Sequence, residues 1–344
     1  MIKKERLFRY DFLRCVAMLF VIAVHSLVVI DFSNKKALLY FYIMQSIFFT
    51  SNGIFFMLSG RFTLQNAEIS SKYFEGKVQS ILIPMAIYMA LRTFYINMRE
   101  PYQNGILSAF AQNLLGNLAS TEYWFLYTLI GCLALAPVFA SPLQIWKRKQ
   151  HAYFILLFFL YGTVTLLTQI LKVPFGYKLI FFDWSFYFYL GYGIEKIIDD
   201  SKPVLWLLTG ACALVITTIL VHFGVTQYVH DISPVFTCLT VSVYFLLEHF
   251  AEYVPVKFRG VISFLAQHSF GVYMCHMMVL EVVREHMQLS NGIASIISHI
   301  QLTFITLMVS IFISVVLDKT IVSIMKKGLT KIFDYCSKLK GKLK

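Results

Sequence analysis

The sequence predicts an all-α protein that crosses a membrane about ten times. Of its 344 residues, 58% are hydrophobic and only 14% are charged, whereas a soluble globular domain is about half apolar and about a quarter charged. The apolar residues also collect in long runs that short polar segments separate. Because one soluble core cannot bury so much apolar surface, the chain requires lipid as a second apolar solvent.

Each spanning helix needs about 20 predominantly apolar residues, and ten segments of the sequence meet this requirement. In chain order they are Phe12–Ile30, Tyr40–Phe62, Ser80–Met98, Glu122–Ala140, Ala152–Leu171, Leu179–Ile197, Val204–His222, Pro234–Phe250, Ile262–Val283 and Ile296–Leu317. The sixth carries Asp183 near its start, and the eighth is short and contains Thr237, Thr240 and Ser242. The apolar patterns of these two segments are therefore the weakest of the ten.

The distribution of basic residues predicts that both termini are cytoplasmic. With the N-terminus inside, the inner segments and the tail hold most of the 30 lysines and arginines, as the positive-inside rule requires. The polar connections are too short to form a soluble domain. We therefore predict a single transmembrane domain over residues 1–344, with a helical bundle over about 10–318. A basic amphipathic cytoplasmic tail over 319–344 is expected to lie on the membrane lipids.

Charge and cysteine content exclude several classes of protein. The net charge of +12 does not indicate nucleic-acid binding, because the basic residues lie between apolar runs and form no recognition pattern. The six cysteines are scattered, and none has metal-ligand or disulfide spacing, so no metal site is predicted. The basic N-terminus and the apolar run after it are similar to a signal peptide. The run is long, however, and no small-x-small cleavage site follows it, which predicts an uncleaved first helix.

Ionisable side chains at membrane depth are costly and therefore mark candidate functional residues. The first helix contains two, Arg14 and His25. At 100° per residue both lie on one face, about 16 Å apart along the helix axis. Arg14, near the cytoplasmic end, can bind a phosphate of a long anionic donor, and His25 can act as a general base further along. The alternative is that Arg14 only reaches to the inner surface and His25 is a hydrogen-bonded packing residue.

The ninth helix carries a second polar stripe, formed by Ser269, Tyr273 and His276. Their spacings of four and three residues place them on one helical face. His276 is a candidate ligand or acid–base group, and a helix–helix hydrogen bond is the alternative interpretation. On the fourth helix, Glu122 can contact an acceptor from the outer side. Trp124 is typical of an interfacial aromatic belt, with sugar stacking as the alternative.

Four stretches of the sequence carry a resemblance to a known family. They are Arg9-Tyr10-Asp11-Phe12-Leu13-Arg14-Cys15-Val16-Ala17 running to His25-Ser26, then Gly53-Ile54-Phe55-Phe56-Met57-Leu58-Ser59-Gly60, then Trp124-Phe125-Leu126-Tyr127 followed by Gly131 and Pro137, and last Ser269-Phe270-Gly271-Val272-Tyr273-Met274-Cys275-His276. In this order they resemble the acyltransferase 3 family of membrane proteins, over most of the chain. The predicted count of ten helices agrees with that family.

The resemblance implies a multi-pass protein of the bacterial inner (plasma) membrane. Such proteins transfer acetyl, or sometimes other acyl groups, from acyl-CoA as co-substrate to surface polysaccharides, lipid-linked sugars or related glycans. The resemblance also implies that His25 is catalytic and that Arg14 helps to bind the donor. The family often has an Arg-x-x-Arg pair before the third helix, whereas the matching region here reads Lys77-Val78-Gln79-Ser80. Lys77 is thus expected to bind the donor phosphates, but more weakly than an Arg-x-x-Arg pair or in a different arrangement.

Two other classes of protein fit the same features. A transporter or exporter of a polysaccharide or lipid-linked glycan also combines about ten helices with buried charges, and it predicts inverted repeats and broken helices. A non-catalytic membrane subunit of a glycan-assembly complex is a third interpretation. Within the acyltransferase interpretation, direct transfer and an acyl-enzyme on Ser or His both remain open.

Overall fold

The computed structural model describes residues 8–116, 123–173, 184–198, 202–225 and 233–342, with side chains described as far as residue 333. Throughout these ranges the regular secondary structure is helical, which confirms the all-α class. The helices are α1 Phe8–Ser26, α2 Lys35–Phe48, α3 Thr50–Leu64, α4 Ser71–Lys77, α5 Ile83–Arg99, α6 Ile106–Gly116, α7 Trp124–Ile145, α8 Arg148–Leu171, α9 Trp184–Gly193, α10 Pro203–His222, α11 Pro234–Phe250, α12 Val256–His286, α13 Ser295–Leu317 and α14 Ser323–Lys342.

Eight helical stretches within the described ranges are long and apolar enough to cross a membrane, and each overlaps one of the predicted spans. Of the two other predicted spans, Leu179–Ile197 is described only from α9 onward, because its start lies outside the described residues. Ile262–Val283 lies within α12, which runs unbroken for 31 residues and carries several buried polar side chains. The chain is thus an all-α, polytopic membrane protein.

Two of the predicted spans have a more complex structure than one straight helix. The second span is divided at Phe49 into α2 and α3. The third span begins earlier than expected, because a π turn over Val78–Leu82 joins α4 to α5. Ser70 caps α4 by accepting a hydrogen bond from the backbone N–H of Tyr73, and Pro84 occupies the first turn of α5, where its missing N–H leaves no helical bond unmade.

Helix α1 lies inside the bundle and packs against α12, α3, α13 and α11. Its buried apolar residues repeat every three or four positions: Leu13, Ala17, Met18, Val21 and Ile22. This spacing is that of a helix face buried against neighbouring helices. Val272 of α12 packs in a small cluster with Met18 and Ile22. The packing of α1 against α12 therefore decides which residues of the two helices meet.

Helices α3 and α9 cross with their backbones in direct contact. A Cβ atom added to Gly60 would collide with the backbone carbonyl of Phe188, and one added to Gly191 would collide with the backbone of Met57. Small residues permit such close crossings between membrane helices. The crossing brings α9 into the interior, where nine of its ten residues are buried.

Helices α8 and α10 lie at the periphery of the bundle. Both expose rows of large apolar side chains, among them Leu156, Leu157 and Leu160 on α8 and Leu205, Leu207 and Leu208 on α10. In water such faces would be unfavourable, whereas in a membrane they face lipid. The two histidine candidates, His25 and His276, lie on the inner helices α1 and α12.

Candidate active site

The structure brings the two histidines predicted on different helices into one place. His25 stands in the last turn of α1, and its ring centroid lies 5.3 Å from that of His276 on α12, with the ring planes inclined at 44°. His276 is completely buried, whereas His25 is half-buried. The two imidazoles therefore face one small region between α1 and α12.

The hydrogen bonding of His276 fixes its tautomer. Its Nδ1 lies 2.6 Å from the carbonyl oxygen of Tyr273. Because a carbonyl only accepts hydrogen bonds, Nδ1 carries the proton, and Nε2 of the neutral ring holds the lone pair. No described residue provides a hydrogen-bond partner for this buried Nε2. A buried polar atom without a partner costs about 1–3 kcal/mol, and such atoms call for a functional explanation.

A chain of aromatic contacts connects the histidines to Trp124. The ring of Tyr273 lies 5.6 Å from that of His276 and 5.4 Å from that of Phe125. Trp124 in turn contacts Phe125 at 6.2 Å and Trp184 of α9 at 5.1 Å. Trp124 is therefore part of an interior aromatic wall that leads to the histidine pair, and planar rings of this kind can stack on a sugar.

Two other predicted site residues, Ser269 and Glu122, are not part of this aromatic wall as the structure describes it. Ser269 is buried, and its hydroxyl donates to the carbonyl of Ala266 in its own helix at 2.9 Å. It lies two turns from His276 towards the start of α12. Glu122 lies outside the described residues.

Arg14 occupies the position that the spacing predicts. Helix α1 is continuous from Phe8 to Ser26, so Arg14 and His25 share one face about 16 Å apart. Arg14 is half-buried, and Asp11, one turn before it, is buried. The helix thus presents a cation near its inner end and an imidazole in its last turn.

Lys77 belongs to a different part of the molecule. Its ammonium lies 5.2 Å from the ring centroid of Tyr73, at an apolar groove between α4–α5 and α7. The groove is lined, besides Lys77, by Phe74, Val78, Ile81, Leu82, Ile130, Leu133 and Ala134. The main packing partners of α1 are other helices, so the described contacts do not bring Lys77 to the histidine pair.

A buried ion pair near the site was missed by sequence reasoning. Arg92 of α5, 8% exposed, donates two hydrogen bonds to Glu281 of α12, at 2.8 and 2.7 Å. Sequence spacing favours a pair between Glu281 and Arg284, which the structure replaces with this contact between helices. The available signal was an ionisable residue, Arg92, inside a predicted span.

A second polar cluster missed by sequence reasoning lies between the first half of α12 and the end of α13. His268 contacts a carboxylate oxygen of Asp318 through Nδ1 at 2.9 Å. The same carboxylate accepts hydrogen bonds from the hydroxyls of Tyr88, at 3.1 Å, and Ser314, at 3.2 Å. These contacts join α5, α12 and α13 beneath the histidine pair.

On the opposite side, Asp31 connects the two loops nearest to His25. Its carboxylate accepts a hydrogen bond from the backbone N–H of Gly292 at 2.7 Å and from the backbone and hydroxyl of Ser33. Its own N–H donates to the hydroxyl of Ser295. The hydrogen bond from the Ser33 hydroxyl, followed by those from the two backbone N–H groups, lowers the pKa of Asp31, because each bond favours the charged form.

At the inner end of α1, two ion pairs surround Tyr10. Arg61 pairs with Glu195, and Arg9 pairs with Glu248 at 3.1 Å. Both guanidinium groups lie against the ring of Tyr10, at 4.5 and 4.9 Å from its centroid. The pairs connect α1, α3 and α11 and the turn after α9, and they keep basic side chains near the first turn of the helix that carries Arg14.

Comparison with protein-family models identifies the family of the chain. The family model of acyltransferase 3, described as an acyltransferase domain, matches residues 7–319, nearly the whole chain. The protein therefore belongs to the acyltransferase 3 family, and it is a multi-pass membrane acyltransferase. No curated protein and no solved structure matches the chain.

Proposed function

We propose that the protein is an O-acyltransferase that moves an acyl group, most simply acetyl, from cytoplasmic acyl-CoA to a hydroxyl of a surface polysaccharide or lipid-linked glycan. The setting is the bacterial inner membrane. The observation that carries the proposal is that His25 lies beside His276 of α12. The helix of His25, α1, also carries Arg14 near its inner end. Family membership supports the acyl-transfer chemistry.

In the proposed reaction His25 is the general base. It removes the proton from the acceptor hydroxyl as the oxygen attacks the thioester carbonyl. The carbon–sulfur bond then breaks, and the CoA thiolate leaves and takes the proton from His25. Protons balance, because the hydroxyl supplies the one that the thiol product keeps. The sequence also allows an acyl-enzyme, for which the same base would serve twice.

The other site residues have supporting roles in this proposal. The lone pair on Nε2 of His276 accepts a hydrogen bond from a neighbouring hydroxyl of the acceptor sugar, which orients the sugar and leaves the proton of the reacting hydroxyl for His25. Tyr273 and Trp124 offer ring faces to the sugar, and Glu122 is an expected acceptor contact. Ser269, which bonds within its own helix, supports the fold of α12 under the site.

Donor binding is proposed to begin at the cytoplasmic side. Arg14 binds a phosphate group of acyl-CoA through its guanidinium fork, and the distance of about 16 Å to His25 is spanned by the flexible arm that ends in the thioester. Lys77 is proposed as a further phosphate contact. Because Lys77 lies on α4 beside an apolar groove, this contact would be made by a part of the donor outside the bundle interior.

The test is to measure glycan acylation in cells by mass spectrometry. Wild type, a gene deletion and His25→Ala are compared at equal membrane abundance, with His286→Ala as the matched control, because His286 is exposed and bonds only to the carbonyl of Val282 among its described contacts. Loss of a general base typically costs about 10²–10⁴-fold in rate, so the acyl mass should vanish in His25→Ala and persist in His286→Ala.

The opposite result would identify the rival class. If His25→Ala retains the acyl mass while the deletion loses glycan export, the protein is a transporter and His25 is not its catalytic base. If both the acyl mass and export persist in the deletion, neither function belongs to this chain.

A further inference from the structure

His299 of α13 makes two hydrogen bonds to the part of the bundle that holds His25. It is 2% exposed. Its Nε2 lies 2.9 Å from the carbonyl oxygen of Ala23 on α1, and its Nδ1 lies 3.0 Å from the hydroxyl of Tyr40 on α2. The ring also stacks on Phe48, at 6.0 Å between centroids and 29° between planes. One side chain therefore connects α13, α1 and α2.

The partners of His299 determine the direction of both hydrogen bonds. The Ala23 carbonyl can only accept, so Nε2 of His299 donates to it. In the neutral ring Nδ1 then holds the lone pair and accepts the proton of the Tyr40 hydroxyl. Tyr40 thus fixes the ring in the tautomer that bonds to α1, as a partner on one ring nitrogen fixes the role of the other.

The backbone that His299 binds belongs to the last turn of α1. The helix ends at Ser26 and continues as a 3₁₀ turn over Leu27–Val29, so Ala23 and His25 lie in the same final turn. The hydrogen bond from His299 to the Ala23 carbonyl ties this final turn to α13. The bond therefore helps to determine where the imidazole of His25 stands.

We propose that His299 is a positioning residue for His25, and that Tyr40 holds His299 in the orientation required. This inference rests on the proposed function of His25 as the general base. His299 touches neither of the proposed reacting groups. It acts by holding the Ala23 carbonyl, two residues before His25, so that the imidazole of His25 faces the region it shares with His276.

The size of the effect follows from the sensitivity of proton transfer to geometry. A displacement of about 1 Å caused by a distant mutation can lower a rate by about 100-fold. Without His299 the final turn of α1 loses a partner that no other described side chain supplies to Ala23. The donor-binding end of α1, with Arg14, stays in place. The maximal rate should therefore fall while the KM for the donor stays unchanged.

The experiment measures transfer from radiolabelled acetyl-CoA into the glycan fraction of native membranes. Initial rates are divided by the amount of folded protein, determined by fluorescence-detected size-exclusion chromatography. His299→Ala is expected to lower the maximal rate about 100-fold at unchanged KM for acetyl-CoA. His299→Gln, whose amide can donate to Ala23, should recover a large part of the rate, and Tyr40→Phe should fall between wild type and His299→Ala. His286→Ala is the matched control and should equal wild type.

The possible outcomes separate this inference from the proposed function. If His299→Ala transfers acetyl at the wild-type rate per folded molecule, or if His299→Gln is no better than His299→Ala, His299 has only a structural role. If His299→Ala does not fold, Tyr40→Phe decides, because it removes one hydroxyl and keeps the ring, and an unchanged rate overturns the inference. If wild-type membranes transfer no more acetyl into glycan than membranes of the gene-deletion strain, the proposed function fails instead.

Discussion

The Arg92–Glu281 pair is the clearest residue-scale determinant of how α5 and α12 pack near the site. Both side chains are largely buried, at 9% and 27% exposed, and the contact is bidentate. Removing one partner of such a pair leaves the other charge buried without compensation. That loss typically costs about 3–5 kcal/mol, more than most single substitutions.

Arg92→Ala is therefore expected to destabilise the protein strongly. The neighbouring pair between Arg99 and Glu285 supplies the matched control, because it joins the same two helices but is 43% exposed on both sides, and exposed pairs contribute little. Thermal unfolding in detergent should show a large decrease for Arg92→Ala and almost none for Arg99→Ala. Equal decreases would contradict the argument, as would a double variant, Arg92→Met with Glu281→Leu, that is no more stable than Arg92→Ala.

At this scale the sequence predicts relations within one helix better than relations between helices. Arg14 and His25 share a face of α1 because 3.6 residues per turn determines it, and Ser269, Tyr273 and His276 follow by the same rule. The meeting of His25 with His276 depends instead on how α1 packs against α12. The periodicity of a sequence does not encode that packing. For the same reason, spacing favours a pair between Glu281 and Arg284 within α12, whereas Glu281 pairs with Arg92 of α5.

At the scale of elements, the crossing of α3 and α9 depends on two glycines. Both backbones approach so closely that neither Gly60 nor Gly191 has room for a Cβ. The crossing also places Trp184 beside Trp124 and Phe56, which completes the aromatic wall. The geometry of that wall therefore depends on the close contact between these two backbones.

Gly60→Ala is expected to destabilise the protein, because the colliding group is backbone and cannot rotate away. Overpacking typically costs about 1–3 kcal/mol. Gly131→Ala on α7 is the matched control, since a Cβ there would meet open space, and alanine favours a helix by about 0.5–1 kcal/mol over glycine. The fraction of monodisperse protein after heating should fall for Gly60→Ala and stay level or rise for Gly131→Ala. A Gly60→Ala protein as stable as wild type would show that the crossing can relax.

Hydropathy locates spanning segments well because lipid imposes one length on all of them. It does not reveal the division at Phe49 or the π turn at Val78–Leu82, since an apolar run reads the same whether its helix is straight or interrupted. The span within α12 is less apolar because it carries His268 and His276, which serve contacts inside the bundle. Its polar residues, rather than its hydropathy, identified it as a functional helix.

For the whole molecule, the decisive property is the direction in which α1 crosses the membrane. The proposed function requires the end with Arg14 to face the cytoplasm, where acyl-CoA is available, and the end with His25 to face the acceptor. The excess of basic residues on one side predicts this direction through the positive-inside rule. If α1 crossed the membrane in the opposite direction, Arg14 would face away from the cytoplasmic acyl-CoA. The proposed function would then be wrong, whatever the geometry of the histidine pair.

Single cysteines provide the measurement, in a background in which all six native cysteines are replaced by serine. Gln103→Cys, in the exposed connection between α5 and α6, should react with a membrane-impermeant maleimide in intact cells. Lys149→Cys, exposed at the start of α8, should react only after the membrane is permeabilised, because the two positions are separated by α7 and its preceding segment. Both residues are exposed, so burial does not explain a difference. The reverse pattern would place Arg14 outside, and reaction of both positions in intact cells would mean that the predicted span between them, Glu122–Ala140, does not cross the membrane.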